Sequence, residues 1–315
     1  MKSNLALAAL AMGASALLAA CSESPAPSDP NSAASEFTQA FHAEVAKNTD
    51  LVDSANNADA RKGLIAKPTG KVLNDAGEVI WDYDEFNFIE GKAPSTVNPS
   101  LWRQASLNNQ IGLYKVADRI YQLRGFDLSN MTLIEGDTGW IVVDVLTSEE
   151  TARAAMAFAR KHLGDKPVTA ILFTHSHVDH FGGALGVLSA EEVATRNIPV
   201  VAPIGFMEEA TSENLLVGMA MARRSIYMYG KRLPRSPEGL IDNGLGKAVA
   251  YGKVGILPPT LVVKESRETH VLDGLEFMFH NVPGSEAPSE FVFYLPTLKA
   301  FGSAELFGHT LHNLY

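Results

Sequence analysis

His175, His177, Asp179 and His180 fall within six residues of a 315-residue chain that has nine histidines. Imidazole nitrogens suit zinc, iron, copper or nickel, and a carboxylate beside one ion can take a second. Four donors so close in sequence converge only where the backbone turns sharply. A nearly continuous apolar run at 168–173 precedes them and Phe181-Gly182-Gly183 follows, the pattern of a strand breaking into a loop. Surface histidines gathered by chance are the alternative reading, and the density of donors argues for a metal site instead.

The flanking sequence supplies elements to position that turn. Short β-prone runs at 120–123, 131–135 and 140–145 are separated by Asp, Asn and Gly. Helical spacing follows over 148–163, with Ser148 as N-cap and Glu149 and Glu150 in the first turn. The run at 168–173 reads as a strand covered on both faces. Further on, 184–188 and 191–196 read as helices, 200–202 as a strand and 206–229 as one long helix. Met207, Met219, Met221 and Met228 on that helix fit either ordinary core or an apolar channel. A second group of strands is expected at 260–263, 275–281 and 291–295. Upstream, 36–52 has helical spacing. The irregular stretch 56–99 reads as an arm wrapped on the surface of the domain.

The N-terminus carries a different signal. Lys2, an apolar stretch over 5–20 and the sequence Leu17-Leu18-Ala19-Ala20-Cys21 have the build of a secretory leader, too short to span a bilayer. Cys21 is the single cysteine, so no disulfide forms within the chain. Leu-Ala-Ala-Cys resembles a bacterial lipobox, which implies cleavage before Cys21 and lipidation of its thiol. The Ser-, Pro- and Ala-rich 22–35 reads as a flexible tether. Ser22 after the cysteine resembles the outer-membrane sorting pattern, so the expected location is the periplasmic side of an outer membrane, held by a lipid anchor. Residues 36–315 suffice for an arm (36–99) and one large domain (100–315). A net charge of −10 without an offsetting basic run excludes a nucleic-acid surface.

Residues 174–183 resemble the H-x-H-x-D-H signature of the metallo-β-lactamase superfamily, and 136–144 its entry hairpin, in which Asp144 would support the site. The resemblance implies an α/β fold, an αββα sandwich, but leaves the reaction open, since the superfamily spans many hydrolases. Two departures narrow it. Where many members have Pro-Gly-His-Thr, this chain has Pro283-Gly284-Ser285-Glu286, and nineteen residues on stands Ser303-Ala304-Glu305. With His309, His312 and Asn313 near the end, this resembles the alkylsulfatase branch, which hydrolyses dodecyl sulfate and related esters.

By that resemblance, His175, His177 and Glu286 would hold one zinc, Asp179 and His180 the other, and Glu305 would lie between the two. Asp179 would also orient the attacking water, which in this branch attacks the ester-bearing carbon so that sulfate departs as an anion. Asn313 would contact the sulfate. His309 and His312 would lie behind the metal ligands, His280 would be structural, and His42, His162 and His270 have no partner in the pattern. Relatives continue past the position of Tyr315 with an arginine, a further metal-binding histidine, a dimerisation region and an alkyl-gathering domain. The expectation is therefore a catalytic domain incomplete at its C-terminal end, without the homodimer contacts of its relatives. Two other readings stay open: a truncated, catalytically weak metal-binding lipoprotein, and a different hydrolase of the same fold.

Overall fold

The structure is a computed structural model that describes residues 34–51 and 54–308. Cys21, His309, His312 and Asn313, which carry four of the expectations above, lie outside the described residues. Two sheets stack face to face. The larger has eight strands in the order β1-β4-β5-β6-β7-β8-β9-β10, with β1 Leu64–Ala66, β4 Gly112–Ala117, β5 Ile120–Arg124, β6 Met131–Glu135, β7 Trp140–Val143, β8 Val168–Leu172, β9 Val200–Pro203 and β10 Leu261–Val263. The smaller is β11-β12-β13-β14, with β11 Thr269–Leu272, β12 Leu275–Asn281, β13 Phe291–Leu295 and β14 Ala300–Gly302. Strands β2 (Lys71–Leu73) and β3 (Val79–Asp82) form a separate hairpin.

Period-2 alternation sorts the side chains into two cores. Ile134, Ile141, Val143, Ala170 and Leu172 face the small sheet, where Leu275, Phe277, Phe279, Phe291 and Phe293 meet them. Each such phenylalanine contributes roughly 1.5–3 kcal/mol by leaving water. Leu133, Val142 and Ile171 point the other way, onto the helix Glu149–Leu163. That helix buries Ala152, Ala155, Met156 and Ala159, the i, i+3, i+4, i+7 stripe of an amphipathic helix, and is capped by the Ser148 side chain accepting from Thr151 N–H. The outer face of the small sheet leaves Val271, Met278, Tyr294 and Phe301 exposed. Among the described residues, no helix is long and apolar enough to cross a membrane.

Three expectations change. The stretch 56–99 is no surface wrapping: Ser54–Arg61 is helical, β1 pairs with β4 at the edge of the large sheet, and Trp81, Tyr83, Phe86, Ile89 and Val97 join the main core. Its aromatics follow no period because they anchor loops, as where Trp81 Nε1 donates to the Gly125 carbonyl. Strand β7 stops at Val143 rather than 145, because Asp144 and Leu146 adopt left-handed backbone (φ 56° and 65°). The long helix over 206–229 is instead Phe206–Thr211, a π-helical turn Ser212–Val217 and Gly218–Met228. The wider π turn offsets the faces of the two α-helical stretches. None of its four methionines is buried, so they do not build core.

Candidate metal centre

Strands β7 and β8 are parallel neighbours, so the loops leaving their C-terminal ends emerge side by side. The first loop carries Asp144 and the second carries residues 174–183. A left-handed φ at a non-glycine residue is strained; here it turns the Asp144 carboxylate toward the neighbouring loop. Asp144 Oδ1 accepts from Thr174 N–H at 2.9 Å, and Oδ2 accepts from Thr174 Oγ1 at 2.9 Å. Backbone bonds close the turn: Val145 N–H donates to the His180 carbonyl and Gly183 N–H to the Leu146 carbonyl, each at 2.9 Å. Glycine is required at 183, where a Cβ would sit 2.1 Å from the Val145 carbonyl oxygen.

These bonds assign both buried imidazoles. The Thr174 hydroxyl spends its single proton on Asp144, so at 3.0 Å its oxygen accepts from His175 Nδ1. His180 Nδ1 donates to Asp144 Oδ2 at 2.8 Å. Each ring therefore turns Nε2 toward the common space, with one carboxylate fixing both, as carboxylates behind metal-binding histidines do. Burial, reinforced by the neighbouring His180 and His177, holds the His175 pKa well below the usual value, leaving the neutral imidazole that can donate to a cation. His180 goes the other way. Burial opposes its charge, but Asp179 and Asp144 outweigh that cost and hold its pKa well above the ordinary range. Burial likewise disfavours ionised Asp179, and His180 and His177 more than compensate, so its pKa falls.

The small sheet brings the remaining carboxylates. Strands β12 and β14 both run antiparallel to β13, so their C-terminal ends share one edge. Glu286 lies in the loop after β12 and Glu305 just after β14. Phe291 N–H donates to the Thr174 carbonyl at 3.0 Å, fastening that edge to the histidine turn. Glu305 reaches both buried histidines: Oε2 is 3.9 Å from His175 Nε2 and Oε1 is 3.6 Å from His180 Nε2. Glu286 Oε1 lies 3.7 Å from His177 Nδ1.

Two groups of donors result, His175-His177-Glu305 and Asp179-His180-Glu305, each with its ligand atoms within 4.8 Å of one another. Glu305 is common to both, while Glu286 stands beside His177 without completing either group. The donor set fits cations. His180 Nε2 is buried with no hydrogen bond, although Asp179 Oδ2 is 3.3 Å away. His175 Nε2 and His177 Nδ1 face each other at 3.1 Å, a separation that a shared proton or a shared metal satisfies. The negative surroundings that favour a proton on His180 equally favour a metal in its place.

The profile of the metallo-beta-lactamase superfamily matches residues 124–295. This chain belongs to that superfamily. The metallo-beta-lactamase chain is 46% identical over 285 residues to a linear primary-alkylsulfatase of Pseudomonas sp., covering 90% of this chain and 42% of the relative. It is 42% identical to the alkyl/aryl-sulfatase of Saccharomyces cerevisiae, covering 86% of this chain and 42% of that one. Among solved structures, a stereoselective inverting sec-alkylsulfatase from Pseudomonas sp. superposes with a TM-score of 0.83 at 44% identity, over 86% of this chain and 43% of that one. The chain thus spans about two fifths of the length of these relatives.

Several residues around the centre escaped the sequence reading. Thr174 is one of the fixing groups just described. Ser129 donates its hydroxyl proton to the Asp179 carbonyl, and its loop is pinned by Asp127, a buried carboxylate accepting from Leu128, Thr147, Thr151 and Ala250. Glu213, on the π-helical turn, has its pKa raised by burial first, then by Asp179 and Glu209, against the pull of His177. Only Thr174 had a local signal, its place beside the histidines. The unpartnered histidines find structural roles elsewhere: His42 Nδ1 lies 3.0 Å from the Ser95 carbonyl, His162 packs on Phe158 and His270 pairs with Glu268. His280 points outward from β12, away from the centre.

Proposed function

We propose that this chain holds two zinc ions at the centre described and hydrolyses alkyl sulfate esters of the dodecyl sulfate type, releasing alcohol and sulfate. The observation that carries the reading is Glu305, which arrives from the second sheet and faces both His175 and His180. Relatives similar over most of this chain are named as alkylsulfatases, which supports a sulfate ester over the other substrates of the fold. His175, His177 and Glu286 would hold one ion and Asp179 and His180 the other, with Glu305 available to both. A pair of such ions supplies Lewis acidity that makes water nucleophilic at neutral pH. Asp179 would orient that water. Asp144 and Thr174 keep the imidazoles in the donating tautomer. Asn313 contacts the sulfate, which departs as an anion when the ester-bearing carbon is attacked. The chain is anchored through lipidated Cys21 on the periplasmic side of an outer membrane.

The test is sulfate released from dodecyl sulfate by the purified full chain, measured beside zinc per chain. Two zincs with turnover, and turnover lost in His177→Ala, are expected. Two zincs with no sulfate release would leave a metal-binding protein and overturn the esterase, and full release by His177→Ala would overturn the metal centre as its cause.

A further inference from the structure

Glu290 has no part in the chemistry just proposed, yet its carboxylate is buried, with the residue 1% exposed. Burying a carboxylate is costly unless its oxygens find donors. Here one oxygen gathers them. Glu290 Oε2 accepts from Ser285 Oγ, from Glu286 N–H at 2.8 Å and from Ala287 N–H at 3.4 Å. The backbone closes the same loop, since Val282 N–H donates to the Glu290 carbonyl at 3.0 Å and Gly284 N–H to the Ala287 carbonyl at 2.9 Å. Glu290 is itself fixed to the histidine turn, because it pairs with His175 in an isolated β-bridge. One side chain therefore connects the backbone beside His175 to the backbone of Glu286, whose carboxylate reaches to within 3.7 Å of His177 Nδ1.

We infer that Glu290 is a positioning residue for the metal centre: its carboxylate folds the 282–290 loop so that Glu286 is presented at His177. A charged acceptor strengthens such bonds beyond what a neutral group supplies. Without it, three donors compete for water and the backbone of Glu286 is released. The inference rests on the proposed metal centre and adds to it how a loop carboxylate is held in place for an ion.

Cobalt serves as the probe, titrated into the metal-free full chain and followed by its visible absorption, alongside hydrogen exchange at the Glu286 and Ala287 amides. Glu290→Ala is expected to weaken one of the two cobalt sites by roughly 10- to 100-fold, as loss of a supporting group does, and to speed exchange at both amides. Glu290→Gln keeps an acceptor oxygen and is expected to stay within about tenfold of the wild type on the same scale. Should Glu290→Ala fail to fold, Ser285→Ala removes one of the three donors and is expected to weaken the same site by less. Wild-type cobalt affinity in Glu290→Ala, or in Ser285→Ala where that variant decides, overturns the inference even if unfolding comes earlier. A wild-type chain that takes up no cobalt fails differently, since the metal-centre reading itself then falls and takes this one with it.

Discussion

The histidine turn and the carboxylate loops face the same space but are built differently. Residues 174–183 are held by Asp144, by close backbone contacts and by burial, with the His175 and His180 side chains 0% and 5% exposed. Glu286 and Glu305 come from a different sheet, and their side chains are 22% and 30% exposed. In the first region His175 and His180 are held in place by hydrogen bonds, at the cost of strained backbone and desolvated rings, whereas His177 is as open as the carboxylates, at 27%. In the second, the donors sit at loop ends where a small shift changes what they reach. The candidate centre thus has a rigid wall of buried, hydrogen-bonded groups and a second wall of more exposed loop carboxylates.

The contrast breaks most readily at Asp144. Asp144→Ala strips the acceptor from Thr174 N–H, Thr174 Oγ1 and His180 at once and should destabilise the fold by about 3 kcal/mol or more, read by urea unfolding. Gly183→Ala forces a methyl group into the Val145 carbonyl and should cost about 1–3 kcal/mol in the same assay, whereas Gly284→Ala, which meets no atom within 4 Å, bears only the strain of its left-handed φ (74°). Wild-type stability in Gly183→Ala would mean the rigid wall yields. Cobalt titration sharpens the other wall. Glu305→Ala should weaken both sites and Glu286→Ala only one, because Glu305 faces His175 and His180 while Glu286 faces His177; equal losses would remove the shared role of Glu305.

Away from the centre the effects shrink. Asp273 accepts from Thr138 N–H, Thr138 Oγ1, Gly139 N–H and Thr169 Oγ1, and although burial opposes its charge these donors lower its pKa from 3.8. A carboxylate with a depressed folded pKa contributes stability above its unfolded value, and that contribution is lost as pH falls through the folded one. The acid limb of a thermal-melt series below about pH 4 should therefore be shallower in Asp273→Asn than in the wild type. Smallest of all, Leu216→Asp alters a side chain that is 80% exposed and should change urea stability by no more than about 0.5 kcal/mol.

Much of this arrangement was legible before any fold was known. The strand at 168–173 and the helix capped by Ser148 declared themselves because their signals are local: an apolar run, a cap and a repeat of 3.6. The arm did not. Trp81 and Phe86 enter the core from turns, and a residue buried by long-range packing leaves no period in its own neighbourhood. The π turn at Ser212–Val217 was equally silent, since nothing in its composition distinguishes it from a continuing helix.

At the centre the same division holds. The sequence alone determined that His175, His177, Asp179 and His180 would share a turn, because chain connectivity keeps close residues close. It also supplied Glu286 and Glu305 as candidates, through likeness to a family rather than through spacing. Which atoms meet was decided by the tertiary structure: two sheets had to stack before the ends of β12 and β14 reached the ends of β7 and β8. Hydrogen bonds from Asp144 and Thr174 turned Nε2 of His175 and His180 toward the shared space, and packing buried Glu290 behind Glu286. Side-chain direction depends on partners distant in sequence, and only the folded chain brings those partners within a few ångströms.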